Sequence, residues 1–279
     1  MKPVCPLCGS DRTAPMFEVA GHQYWRCAFC TLVFACGQTN ANFRESIGEY
    51  EPAYRQYLDE GPADAPNLDN VIAWIESHIS LGNSTLRLLD VGAGSGKLIR
   101  RLNRIRPCIV SAIEPSVALF KTYDLGSLGI EATTLPELAV RQTSAYDVVT
   151  VLDVIEHIPE AAEFTRALAR VTKPGGLVFL STPDAGGLLA RFLGRSWHHY
   201  NAYHFSLYGK QAVAEAARRN GFRVVSSEHR SKRMTLDYLW NRAMDFQLAR
   251  QHKSADRRPS RFAIPVNFGD TLSVVWQRT

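Results

Sequence analysis

Several signatures are missing from this 279-residue chain. No apolar run approaches the roughly 18 residues that a membrane-spanning helix requires, so no such span is expected. The opening Met1-Lys2-Pro3-Val4-Cys5 has none of the apolar stretch of a secretory leader, and the cytoplasm is the expected location. There is no internal repeat and no low-complexity tract. With 19 Gly and 14 Pro against 46% hydrophobic residues, the composition is neither collagenous nor disordered. What is left is an ordinary globular protein, long enough for one principal domain of roughly 200 residues and a small appendage.

Excess charge is also small, 32 Lys and Arg against 27 Asp and Glu for a net of +5. It is unevenly placed, because twelve basic residues and only four acids fall between Arg218 and Arg261. Such a stretch suits an acidic partner such as phosphate, RNA or a membrane surface, or is simply a solvated helix face.

Cysteines number only six, and in a reducing compartment their pattern reads as metal-binding before disulfide. Four of them form Cys5-x2-Cys8-x18-Cys27-x2-Cys30. Each C-x2-C turn aims two sulfurs at one centre, and two such turns complete the tetrahedral thiolate shell that zinc prefers. Residues 1–36 are therefore read as a zinc ribbon whose structural Zn2+ supplies much of its folding free energy. On this reading Cys27→Ser releases the metal and unfolds 1–36 without loss of cofactor affinity, unless the ribbon is part of the active-site wall. Cys108 reads as a buried small hydrophobe, Cys36 has no obvious partner, and His22 is not needed as a ligand.

Residues 37–65 read as a connector bearing Tyr50, Tyr54 and Tyr57. Beyond it Leu68, Val71, Ile72, Ile75 and Ile79 recur at helical spacing, with Gly82-Asn83 as the stop. Strands and helices then alternate: strands over 86–91, 108–113, 147–152 and 177–181, helices over 97–105, 117–123 and 161–171, and a turn at Pro174-Gly175-Gly176. A helix over 212–219 and strands over 222–227 and 272–276 finish the chain. A basic helical insertion around 230–262, centred on Leu236–Leu248, separates the last two strands. The rhythm predicts an α/β fold, a parallel sheet covered by helices on both faces.

The first strand ends in Asp90-Val-Gly92-Ala-Gly94-Ser-Gly96, and a helix follows at once. Glycines there let a ligand lie against main-chain amides at the helix start. That turn alone serves NAD or FAD equally well. Asp90, however, places an acid where a pyrophosphate would be repelled and an ammonium welcomed. Glu114 ends the second strand, where a carboxylate can accept both ribose hydroxyls. A ribose, a cationic amino-acid tail and no phosphate together describe S-adenosylmethionine.

With DVGAGSG at 90–96, AIEPS at 112–116, YDVVTVLDVIEHIP at 146–159 and KPGG at 173–176, the chain resembles the class I S-adenosylmethionine-dependent methyltransferases over roughly residues 66–229, and the domain is taken to run over 66–279. The resemblance implies a Rossmann-like seven-stranded sheet with an antiparallel last strand. It implies Gly92, Gly94 and Gly96 around the methionine half, Asp90 orienting it, Glu114 on the ribose, Thr134 and Leu135 near adenine, and Asp153 beside the sulfonium. It departs from the pattern where Thr133-Thr134-Leu135-Pro136 stands in place of an acid after the third strand.

Transfer to a neutral oxygen usually needs a base, and His157 and His204 are the candidates, with Glu156 behind them. The plainer reading makes His157 a loop brace and the aromatic run from Trp197 to Phe205 packing. The acceptor expected is a small-molecule, sugar or glycan-like hydroxyl compound, with phosphate as a group the basic stretch could meet. The competing readings are an RNA methyltransferase, in which ribbon and basic stretch bind RNA, and a non-catalytic zinc-ribbon interaction protein. Against RNA, DVIEHIP lacks the Asn/Asp-Pro-Pro-aromatic run of many base-amino methylators.

Overall fold

The structure, a computed structural model, describes residues 2–36, 63–79, 85–105, 108–236, 239 and 262–279. The connector over 37–62, the Gly82-Asn83 stop and most of the insertion lie outside the described residues. At the N-terminus β1 (Thr13–Val19), β2 (His22–Cys27) and β3 (Val33–Ala35) form an antiparallel meander. Its two cysteine turns face each other, with Cys5 Sγ 3.6 Å from Cys30 Sγ and Cys8 Sγ 3.6 Å from Cys27 Sγ. These are not disulfides, whose sulfurs stand about 2.05 Å apart.

Helix α1 (Asp64–Glu76) buries Ile72, Trp74 and Ile75, the face that the periodicity marks, and ends before Ile79. The alternating region follows: β4 (Arg87–Val91), α2 (Lys97–Ile105), β5 (Ile109–Ile113), α3 (Val117–Thr122), β6 (Ile130–Glu131), α4 (Leu135–Arg141), β7 (Tyr146–Leu152), α5 (Ala161–Val171) and β8 (Thr172–Pro183). Next come α6 (Leu188–Leu193), β9 (Ser206–Leu207), α7 (Lys210–Arg219), β10 (Phe222–Glu228), β11 (Lys232–Thr235), β12 (Ala263–Val266) and β13 (Thr271–Arg278).

The main sheet has seven strands in the order β10-β13-β8-β7-β4-β5-β6. β13 runs antiparallel to both its neighbours, whereas β8, β7, β4, β5 and β6 are mutually parallel. This is the sheet that the alternation and the resemblance implied. Buried on both faces, the central strands need apolar side chains throughout, and Leu89, Val149, Val151, Val178 and Leu180 are all buried.

Three details depart from the sequence reading. Pro174-Gly175-Gly176 lies within β8, where the β7 pairing shifts register between Tyr146 and Val148, rather than in a separate turn. Residues 232–235, at the start of the expected helical insertion, form β11, which pairs antiparallel with β12 just beyond its end, while the expected helical centre lies almost wholly outside the described residues. Cys108 precedes β5 and is only partly buried.

The ribbon continues into the larger unit. β3 pairs with β9, Val33 against Leu207 and Phe34 against Ser206, so one four-stranded sheet spans both. Cys5, Cys8, Cys27, Cys30, Leu32 and Phe34 share a single core with Leu89, Val151 and Leu180. The Ala162 amide donates to the Pro6 carbonyl at 3.0 Å, and the Gln211 side chain donates to the Phe29 carbonyl at 3.0 Å. The Arg219 guanidinium bonds the Cys8 carbonyl.

Because Leu207 is completely buried in this seam, Leu207→Ala is expected to destabilise the whole chain by about 2–5 kcal/mol. Chemical denaturation monitored at both ribbon and main-sheet tryptophans should show one shifted transition, not a separate early loss of residues 1–36.

Candidate active site

All parallel strands end at one edge of the sheet, and the chemistry-bearing residues gather there. At the end of β4 the chain turns through Gly92 (φ 73°), Gly94 (φ 56°) and Gly96 (φ 79°), left-handed conformations that favour glycine. A Cβ on Gly92 would stand 2.6 Å from Val154 Cγ2, so the turn cannot carry a side chain without moving. It leads directly into α2.

Two buried carboxyls flank this turn. Asp90 accepts from Thr150 Oγ1 on β7 at 2.6 Å, and Glu114 accepts from the amides of Gly94 and Ser116 at 3.0 and 2.9 Å. Burial pushes Asp90 up to about 6. It also pushes Glu114 up to about 7, with the Asp90 charge adding to the rise against the two amides. Neither makes an ion pair among the described residues. Two carboxyls held at such cost without a basic side chain match a ligand that brings positive charge and hydroxyl donors. The glycine cradle, the acid at its base and the acid on the next strand thus fit the ammonium and ribose of S-adenosylmethionine.

Thr134 and Leu135 stand farther along the edge. Thr134 caps α4 in a reciprocal box with Glu137, and Leu135 is buried in the main core. The third strand ends in Glu131 itself, which the sequence reading overlooked; its carboxylate is paired with Arg141 at 2.6 Å.

Beyond β7 the backbone of Asp153 is left-handed, at φ 55°, a conformation that costs a non-glycine residue about 1–3 kcal/mol. Its amide bonds the Ser181 carbonyl at 3.0 Å and Ser181 Oγ at 3.1 Å, and its carboxylate accepts from Ser181 Oγ at 2.8 Å. Lys232 Nζ on β11 reaches the other carboxylate oxygen at 2.9 Å. The surroundings of Asp153 resist charge, but the Lys232 ammonium prevails and holds its carboxyl below the usual range. Lys232 had no local signal in the sequence; only the folding back of the insertion brings it to this edge.

Next to Asp153 the turn Ile155–His157 presents Glu156 and His157, and the loop before β9 presents His204. The two imidazole centroids are 4.8 Å apart. His157 Nδ1 bonds the Tyr203 carbonyl at 2.8 Å and His204 Nδ1 bonds the His199 carbonyl at 2.9 Å. Burial lowers both imidazoles below the ordinary histidine value, His204 strongly, and so favours their neutral forms. Glu156 is buried and accepts from Thr182 Oγ1 at 3.0 Å. Burial, then the Asp153 charge, pushes its carboxyl up to about 8.

The ribbon braces this loop. The Tyr24 hydroxyl donates to the carbonyls of Asn201 at 2.7 Å and His204 at 2.9 Å, and His22 Nε2 bonds the Ala202 carbonyl at 3.0 Å. A cavity of about 560 Å³ beyond β8 is lined from both sides, by Arg26 of the ribbon and by Arg191, Lys210, Asp184 and His229. The described cations of the basic stretch turn elsewhere. Arg218 pairs with Glu215, Arg230 stacks over Trp74, and Lys232 holds Asp153.

Comparison with known proteins agrees with this geometry. A family model described as a methyltransferase domain matches residues 54–227. A ubiquinone biosynthesis O-methyltransferase of Xanthomonas oryzae pv. oryzae is 36% identical over 185 residues, covering 59% of this chain and 76% of that protein. The protein of the same name in Burkholderia multivorans is 39% identical over 117 residues, 40% of this chain and 49% of its own. Among solved structures, Burkholderia thailandensis 1,6-didemethyltoxoflavin-N1-methyltransferase, with its substrate and S-adenosylhomocysteine bound, superposes with a TM-score of 0.53 at 14% identity, covering 95% of this chain and 99% of that one. A S-adenosylmethionine-dependent methyltransferase from Archaeoglobus fulgidus gives 0.51 at 14% identity, over 76% and 94%. No helix among the described residues is long and apolar enough to cross a membrane.

Two measurements test the cradle. Glu114 must be ionised to accept ribose hydroxyls. Its raised pKa of about 7 therefore predicts cofactor affinity that is level well above neutrality and falls as pH drops, approaching about tenfold per unit below 7. Calorimetry with S-adenosylhomocysteine reads this, and Glu114→Gln should remove the pH dependence along with most of the affinity. Gly92→Ala, which forces a side chain against Val154, should weaken binding by at least about tenfold.

Proposed function

The chain belongs to the methyltransferase-domain family and is an S-adenosylmethionine-dependent methyltransferase; from that premise we propose that it methylates a hydroxyl oxygen of a small-molecule acceptor. The observation that carries the reading is the close imidazole pair His157 and His204, 4.8 Å apart and held by burial toward their neutral forms, set with Glu156 beside Asp153 at the edge of the cofactor cradle. The names of the O-methyltransferase relatives support an oxygen acceptor.

Bound S-adenosylmethionine supplies an electrophilic methyl on a positively charged sulfur. Gly92, Gly94 and Gly96 let its methionine half approach the backbone, Asp90 holds the ammonium end, and Glu114 takes the ribose hydroxyls. Asp153, fixed by Ser181 and Lys232, stands beside the sulfonium and amino end. Thr134 and Leu135 are the residues proposed nearest adenine. Attack by an oxygen on the methyl carbon forms a C–O bond as the S–C bond breaks, and the hydroxyl proton must leave. His204 and His157 promote that loss. Water would compete as an acceptor, and the packed loop from Trp197 to Phe205 excludes it.

In the same proposal the four-cysteine cluster holds a structural zinc ion. All four sulfurs lie within 4.8 Å of one another, and a tetrahedral shell with Zn–S near 2.3 Å places its sulfurs about 3.8 Å apart. The buried hydroxyl of Tyr208 has no partner among the described residues and lies in the electrostatic field of Cys5 and Cys30. With four protein ligands the ion has no open position, and its role is to fold the ribbon.

Labelled methyl transfer into a small-molecule extract, with and without total RNA, tests the acceptor class. Label in an RNase-sensitive product would refute the reading. His204→Asn and His157→Asn are each expected to lower kcat by about 10²–10⁴, while S-adenosylhomocysteine affinity stays within twofold of the parent. Total metal and thiol titration on the parent and on Cys27→Ser should show one tightly held zinc lost with that cysteine.

A further inference from the structure

The groups proposed to draw off the acceptor's proton have a second property in common, which is that they converge. Glu156, His157 and His204 each offer one ligand atom, and the three atoms lie within 4.8 Å of one another. They come from two separate segments, the turn after β7 and the loop before β9, so this proximity is not forced by adjacency in the chain. The segments are joined by the Phe205 amide donating to the Glu156 carbonyl at 2.8 Å.

The tautomers point the same way. A ring nitrogen within 2.9 Å of a carbonyl oxygen must carry the proton, because a carbonyl only accepts. Both histidines meet a carbonyl through Nδ1, at 2.8 and 2.9 Å. In the neutral ring Nε2 then carries the lone pair, in both cases. An imidazole fixed by a backbone carbonyl through one nitrogen and presenting the other is the arrangement of metal-ligating histidines. Glu156 is supported in the same manner, its Oε2 accepting from Thr182 Oγ1 at 3.0 Å.

We infer that Glu156, His157 and His204 form a binding site for a divalent transition-metal ion at the acceptor end of the active site, separate from the four-cysteine zinc site. Two imidazoles and one carboxylate select ions of the zinc, manganese or iron(II) type over magnesium or calcium, which prefer all-oxygen shells. Ligands about 2.1 Å from one ion stand at most about 4.2 Å apart, so a set already within 4.8 Å needs little or no contraction to close on one. A cation also answers an electrostatic problem. Glu156 is 1% exposed, and Lys232, whose charge reaches it, is already engaged by Asp153 at 2.9 Å.

Three protein ligands leave the open coordination position typical of catalytic sites. A hydroxyl of the acceptor bound there ionises more readily, its proton passing to solvent, before its oxygen attacks the methyl. This deepens the proposed O-methylation and rests on it for the role of the ion, but not for its presence.

Cobalt(II) is the probe. Full-length protein stripped of metal and titrated with Co2+ should take up two equivalents. One shows the intense near-ultraviolet charge transfer of cobalt thiolate; the other adds only weak visible bands. His157→Ala, His204→Ala and the near-isosteric Glu156→Gln should each weaken the second equivalent by on the order of 100-fold or more, leaving the thiolate signal unchanged as proof that the ribbon is folded. A single thiolate-type equivalent in the parent overturns the inference, as does a second equivalent indifferent to all three substitutions. S-adenosylhomocysteine affinity and methyl transfer measured on the same samples separate the two proposals. Full transfer activity at one metal per chain refutes the catalytic role given to the ion and leaves O-methylation standing.

Discussion

Tyr24 has no exposed surface, and its hydroxyl donates to two carbonyls of the loop that carries His204. That bifurcated contact, together with the β3–β9 pairing beside it, is the constraint on which the acceptor side depends. The loop from Trp197 to Phe205 is not regular structure, so its carbonyls lack ladder partners and must find donors elsewhere. A buried carbonyl left without one costs about 1–3 kcal/mol. The ribbon supplies the donors: Tyr24 for residues 201 and 204, His22 for residue 202. The catalytic unit supplies others, His157 for residue 203 and His204 for residue 199. The loop is thereby held from both sides, and the small N-terminal module is part of the site's scaffold.

On the cofactor side the constraint is electrostatic. Asp90 and Glu114 are buried with their pKa values raised, which means that folding works against their ionisation and the charged state must be recovered from the ligand. Asp153 differs. Lys232 is supplied by the protein itself, and the pair is about half exposed, with side chains 48% and 40% accessible. An exposed pair of this kind contributes at most about 1 kcal/mol, so its use is positional. It ties the β11–β12 arm to the edge of the sheet and helps hold an aspartate in a left-handed conformation.

How much of this was legible in the sequence follows from the range of each interaction. The strands of the parallel sheet, the helices at 97–105 and 161–171, the glycine turn and both buried acids were all readable, because apolar runs and short motifs encode them locally. The four cysteines were readable for the same reason, since the C-x2-C turn is a property of four consecutive residues. The fusion of ribbon and sheet was not. β9 is two residues long, and Ser206-Leu207 carries no pattern until β3 lies beside it. Nor were Lys232 on Asp153, Tyr24 on the His204 loop, or His229 on Asp184 at 2.8 Å. Each joins residues dozens to more than a hundred positions apart through one side chain. Of the expected helical insertion little but the start is described, and there a basic, partly apolar stretch suits either element. Pairing between β11 and β12 decides for strand.

Tyr208 connects these two kinds of constraint. Its ring is completely buried, and its hydroxyl lies in the fields of Cys5, Glu156 and Cys30. Burial and these neighbours hold the phenol well above its ordinary pKa, so it remains a donor and never a competing anion. A phenylalanine at this position would remove a buried hydroxyl that feels both the cysteines and Glu156. The ligand sets also differ in a way that suits their places. Four sulfurs close a shell and fix a fold, whereas two imidazoles and a carboxylate leave room for a substrate atom. On the proposed assignments a closed site and an open one act on the same buried, uncharged hydroxyl of Tyr208.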